Sequence, residues 1–135
     1  METANHECYV SLEVAKLLKK AGFDWEVNHS YPDVSALDNS CSGYMEDLSF
    51  YHNLNDGKYG GMSAPTLEIA QRWLRKTHHL HITIFSSSQE SWMFRITKPH
   101  EKIENGAYGE DFYTYEEAQE AGIKKALEII LEKGE

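Results

Sequence analysis

The sequence has 135 residues, 41% of them hydrophobic, and its 22 acidic and 13 basic side chains give a formal charge of −9. That length is one ordinary domain, and 3 Trp, 8 Tyr and 5 Phe supply the apolar bulk of a core, which excludes a chain disordered throughout. The acidic balance opposes non-specific binding to nucleic acid or an anionic membrane, and no apolar run approaches the roughly 20 residues of a membrane helix.

Residues 1–11 hold no Lys or Arg and no apolar stretch, so they do not read as a signal peptide. Cys8 and Cys41 are the only cysteines. Without an export signal they point to a reducing compartment, and the expected location is the cytoplasm.

The first helix is predicted over residues 11–21. Val14, Leu17, Leu18 and Ala21 repeat on one helical face, and Ser11 can cap the start. Gly22 fits the left-handed position after the helix, with Phe23 placed to cover Leu18 as in a Schellman ending. Trp25, Val27, His29 and Tyr31 then alternate as a strand that Pro32 ends. Residues 33–63 show no clean period, yet Tyr44, Met45, Leu48, Phe50, Tyr51 and Leu54 are too apolar for a free linker. The stretch 44–54 is expected to dock on the core, with Phe50→Ala lowering stability by a few kcal/mol, as core truncations of Phe do. The glycine-rich end, 55–62, is expected to stay mobile.

A second helix is predicted from about Pro65, in its first turn, to His78, with Leu67, Ala70, Trp73 and Leu74 as the buried stripe. Leu80, Ile82 and Ile84 mark one strand and Trp92, Phe94 and Ile96 its hairpin partner, with residues 86–91 as the loop. Asn105-Gly106 signals a turn, and a short third strand is expected near Phe112. Thr114 and Glu117 form a capping box for the last helix. Its apolar face joins Ala118, Gly122, Ala126 and Ile129 to Ile123, Leu127 and Ile130. Gly122 in mid-helix costs about 1 kcal/mol against Ala, which a close approach to the sheet would explain. The expected fold is therefore a single α+β domain over residues 1–135. Its antiparallel sheet carries about three helices, in the order α-β-(long loop)-α-β-β-(β)-α.

Three stretches carry a resemblance. They are Tyr9-Val10-Ser11-Leu12-Glu13-Val14-Ala15-Lys16-Leu17-Leu18 with Gly22-Phe23, Ser63-Ala64-Pro65-Thr66-Leu67-Glu68-Ile69-Ala70 with Trp73-Leu74-Arg75, and Tyr115-Glu116-Glu117-Ala118 with Ala126-Leu127-Glu128. Together they resemble a group of small uncharacterised proteins of gut anaerobic bacteria and their phages or mobile elements. The resemblance implies no activity.

Candidate chemistry is sparse. His78, His79 and His81 cluster where the second helix meets its strand. On a strand His79 and His81 would share a face and could both reach a metal, with a third ligand from elsewhere. The competing reading is a pair of histidines at an element junction, His79 helping to cap the helix. Cys8 has His6 two residues away, the makings of an activated thiol, but an ordinary packing cysteine explains it as well. Ser86–Ser88 lack the flanking glycines of a nucleophile elbow, and Gly57, Gly60 and Gly61 around Lys58 lack the ending of a phosphate loop.

Charge layout says more. Residues 24–57 hold seven acidic residues and no Lys or Arg, whereas Arg72, Arg75, Lys76 and His79 recur at helical spacing along the second helix. These form a basic face for phosphate or an acidic partner, a solvated surface with Glu68 paired to Arg72, or a face over which the acidic segment folds.

The leading expectation is a non-enzymatic accessory or protein-interaction protein, with Tyr44, Phe50, Tyr51, Arg72, Arg75 and Lys76 as interaction residues. The expected partner is a protein. A homo-oligomer is compatible with the sequence, nucleic acid is disfavoured, and neither a membrane nor a cofactor is expected. Two alternatives stand beside it. One is a small metal-dependent or hydrolytic enzyme using the cluster from His78 to His81, with His79 and His81 as the metal candidates. The other is a nucleic-acid-binding module using the second helix, and that reading would show as steep salt dependence.

Overall fold

The computed structural model describes residues 8–35, 40–41, 45–57, 61–88, 91–99 and 108–132. Among them the chain forms three helices and two three-stranded antiparallel sheets, an α+β fold. The first helix, α1 (Leu12–Lys20), starts where the Ser11 hydroxyl accepts from the Val14 N–H, at 3.3 Å. It ends because Gly22 takes a φ of +94°. The Phe23 and Gly22 N–H groups then donate back to the carbonyls of Leu18 and Lys19, the Schellman pattern.

The next strand, β1 (Val27–Tyr31), is the centre of the first sheet. Residues 33–63, expected as a long connection, in fact supply strands. A small hairpin, β2 (Asp33–Ser35) with β3 (Ser40–Cys41), precedes β4 (Glu46–His52) and β5 (Met62–Ser63). The latter two flank β1 on either side, both antiparallel to it. Asn55 holds the return in place. Its Nδ2 donates to the Phe23 carbonyl at 3.0 Å, and its Oδ1 accepts from the Ser63 N–H at 2.9 Å.

The docking expected of 44–54 holds only in part. Leu54 is buried and Leu48 half-buried, but Met45 and Phe50 are exposed, Phe50 at 41%. Met45 precedes β4, and Phe50 lies where the ladder with β1 is interrupted and consecutive residues 49–51 are all exposed, so apolar character alone misplaced them. Phe50→Ala is therefore expected to cost about 1 kcal/mol or less in a urea melt, below the loss of a core phenylalanine. In the glycine-rich end, Asp56 and Gly57 are exposed, whereas Gly61 and Met62 are buried. Residues 58–60 and Tyr44 lie outside the described residues.

The second helix, α2 (Leu67–His78), begins two residues later than expected. Thr66 is its cap, accepting from the Ile69 N–H at 3.1 Å, and Pro65 sits just before it. The chain 8–10 runs beside this start. Val10 N–H donates to the Pro65 carbonyl and Leu67 N–H to the Cys8 carbonyl.

The second sheet joins β6 (His81–Ser88), β7 (Ser91–Thr97) and β8 (Tyr108–Phe112) in that order. Strand β6 runs further than expected, through Ser86–Ser88, before the hairpin turns. Ile82 opposes Ile96 and Ile84 opposes Phe94, an apolar face covered by α3 (Tyr115–Glu132). The capping box forms as expected. Glu117 N–H donates to the Thr114 hydroxyl at 3.0 Å, and the Thr114 N–H donates to the Glu117 carboxylate at 3.3 Å. Gly122 lies where a Cβ would come within 2.8 Å of Ile82 Cγ2 and 3.2 Å of Phe94 Cγ. The missing side chain lets the helix approach the sheet. A buried amide chain ties the layers: Gln119 Nε2 donates to Gln71 Oε1, and Gln71 Nε2 donates to the Ile82 carbonyl.

Candidate functional site

Strand β4 lies at the margin of its sheet, and among the described residues no strand pairs with its outer edge. Its ladder with β1 is interrupted. Val27 faces His52 and His29 faces Asp47, so between these pairs the single residue Asn28 meets four residues, 48–51. The surplus cannot stay in the ladder. This bulge holds Phe50 and Tyr51, and Tyr51 is 66% exposed. Two histidine–aspartate contacts bracket it. His29 Nε2 lies 3.7 Å from Asp47, and His52 Nε2 lies 2.6 Å from Asp56.

Beside the bulge an open groove of about 510 Å³ runs between β1 and the start of α2. Tyr9, Glu26, His29, Tyr51, Glu68 and Arg72 contribute to its lining. The Tyr9 and His29 rings pack with centroids 4.2 Å apart, and His29 Nδ1 shares a hydrogen bond with Asn28 Oδ1 at 2.9 Å. Two residues singled out from the sequence, Tyr51 and Arg72, thus meet at one place. Arg75 and Lys76 are exposed further along α2, and neither lines the groove. The expected Glu68–Arg72 ion pair does not form among the described residues. Tyr9, Glu26 and His29 carried no signal of a site in the sequence, because two separate segments, with α2 as a third, come together only in the folded chain.

The histidine cluster is divided by the turn between α2 and β6. His79 is the exposed left-handed cap of α2, with φ 60°, and so is not on the strand. His81 opens β6 and is half-buried. Side chains two apart share a face only within one strand, so this pair loses the arrangement expected for joint ligation. Among the described residues no group of three or more His, Cys, Asp or Glu is placed to hold a metal ion. Cys8 is half-buried beside the starts of α2 and α3.

His78 packs edge-on against Trp73 at 4.9 Å. Burial, then the nearby charges of Lys98 and His79, push its pKa below the ordinary 6.5. A lowered folded-state pKa means the unfolded chain binds the proton more tightly. This contribution to stability is fully present above the ordinary value and is lost as pH falls through the window just below it. Urea melts across that window should show a pH-dependent loss that His78→Phe reduces; an unchanged slope in the variant would contradict the assignment.

No described helix is long and apolar enough to cross a membrane. No protein-family model, curated protein or solved structure matches the chain, so the site is read from its own geometry.

Proposed function

We propose that the chain is a non-enzymatic protein-interaction protein, an accessory factor of a bacterium or its phage acting in the cytoplasm. It receives an extended segment of a partner protein along the outer edge of β4. The observation that carries this reading is the exposure of Phe50 and Tyr51 on β4, a strand whose outer edge no described strand pairs, with Met45 exposed just before it. Unpaired edges are templates for another strand, and soluble proteins blunt them with charged residues, above all lysine, with proline or with bulges. Strand β4 has no lysine or proline; its bulge interrupts the ladder toward β1, and Glu46 and Asp47 are its charged residues. Added strands gain affinity from main-chain hydrogen bonds and selectivity from alternate side chains. The exposed carboxylates of Glu46 and Asp47 favour a partner segment that mixes apolar with basic residues.

A peptide-display selection on the immobilised full chain tests this. Enriched sequences should alternate apolar and basic residues. The double substitution Phe50→Ser with Tyr51→Ser should weaken binding of the best peptide by about tenfold or more, with the fold retained in circular dichroism. Enrichment of no sequence, or binding indifferent to that double variant, would contradict the reading.

A further inference from the structure

The groove beside β4 has a chemically uneven lining. Tyr9, His29 and Tyr51 supply three rings, and Glu26 and Glu68 supply two exposed carboxylates. A ring face attracts cations through its quadrupole, and the carboxylates add full negative charge. An anion would gain from Arg72 but would meet both carboxylates; a neutral apolar group would gain from the rings and from Val27, Ala64, Pro65 and Ile69 but would leave both carboxylates without a counter-charge. Arg72 is exposed at the fourth position after Glu68, where its long stem can carry the guanidinium into water. The balance of the lining therefore favours a cation. Tyr51 belongs both to the groove and to β4, which joins the two surfaces.

We propose that this groove binds the ammonium or guanidinium head of a lysine or arginine side chain carried by the partner segment, the aromatic walls and the Glu26 and Glu68 carboxylates together selecting the cation. The proposal rests on the reading of β4 as the docking edge and names which partner side chain that edge selects.

The test is a chemical-shift titration of the ¹⁵N-labelled full chain with Nα-acetyl-lysine amide. Nα-acetyl-norleucine amide and Nα-acetyl-glutamate amide are the controls. The lysine derivative should shift the amides of residues 26–29 and 66–72 saturably, at concentrations about tenfold below those norleucine needs. Glu26→Gln with Glu68→Gln, both at exposed positions, should weaken it by about fivefold while the rest of the spectrum stays unchanged. Equal response to lysine and norleucine, preference for glutamate, or shifts that map away from the groove would overturn the proposal. Replacing lysine by norleucine in a display-selected peptide separates the two readings. If binding along β4 persists undiminished, the docking edge stands and the cation site falls. If no peptide binds β4 while the lysine derivative fills the groove, the cation site stands and the docking edge falls.

Discussion

Trp73→Ala is expected to destabilise the fold by about 3–5 kcal/mol, the range for deleting a large buried aromatic. Trp73 is 1% exposed, and it is the largest fully buried side chain among the described residues. Its ring meets Phe23 edge-on at 5.3 Å, linking α2 to the residue that closes α1, and meets His78 at 4.9 Å. Truncation leaves a cavity between two elements whose backbones are fixed by their own caps, so little collapse can offset it. Folded domains hold only about 5–15 kcal/mol in total, so the loss is a large share. Urea unfolding followed by far-ultraviolet circular dichroism is the suitable readout, since the substitution alters fluorescence. A loss below about 1.5 kcal/mol would mean that the region repacks freely.

Gly61→Ala is expected to cost about 2–4 kcal/mol through two separate effects. The backbone holds φ +72° there, a region that disfavours a Cβ. A Cβ would also run into the Tyr31 carbonyl oxygen and lie 2.8 Å from Pro32 Cα, both backbone atoms of the turn leaving β1. Backbone cannot yield as a side-chain tip can. Gly57 serves as the internal comparison: its φ is +85°, and a Cβ there would meet nothing within 4 Å. Gly57→Ala should therefore show only the backbone part, about 1 kcal/mol. Thermal melts of the two variants side by side check this; equal shifts would remove the close contact from the explanation.

The helices were legible because their signals are local. Ser11, the Gly22-Phe23 pair and the Thr114–Glu117 box each act within a few residues, so their spacing alone sets the cap. Gly122 was legible for a similar reason: an expensive residue in a regular helix implies a neighbour that needs the room. Strand β4 was not, because the bulge sets four residues against Asn28 and destroys the alternation by which a strand is read. Strand β5 has only two residues, too few for any period, and owes its place to β1 and Asn55. The groove was illegible for a different reason. Tyr9, Glu26 and Glu68 come from three segments, and only the folded chain brings them together. Gln119 is 3% exposed although polar, because Gln71 supplies its partner across the helix interface, a contact between residues 48 apart that no local spacing marks.

The central claim is that a partner strand adds to the outer edge of β4. Amide hydrogen exchange of the full chain, with and without the tightest display-selected peptide, tests it most directly. Main-chain pairing along that edge slows exchange of the outward amides in residues 46–52, by about tenfold or more if the added bonds each contribute the usual net stabilisation. The expected result is protection concentrated there and at Tyr51, with β8, the opposite margin of the other sheet, unchanged. Protection that instead appears along β8 or over α2, with residues 46–52 exchanging as before, would contradict the account.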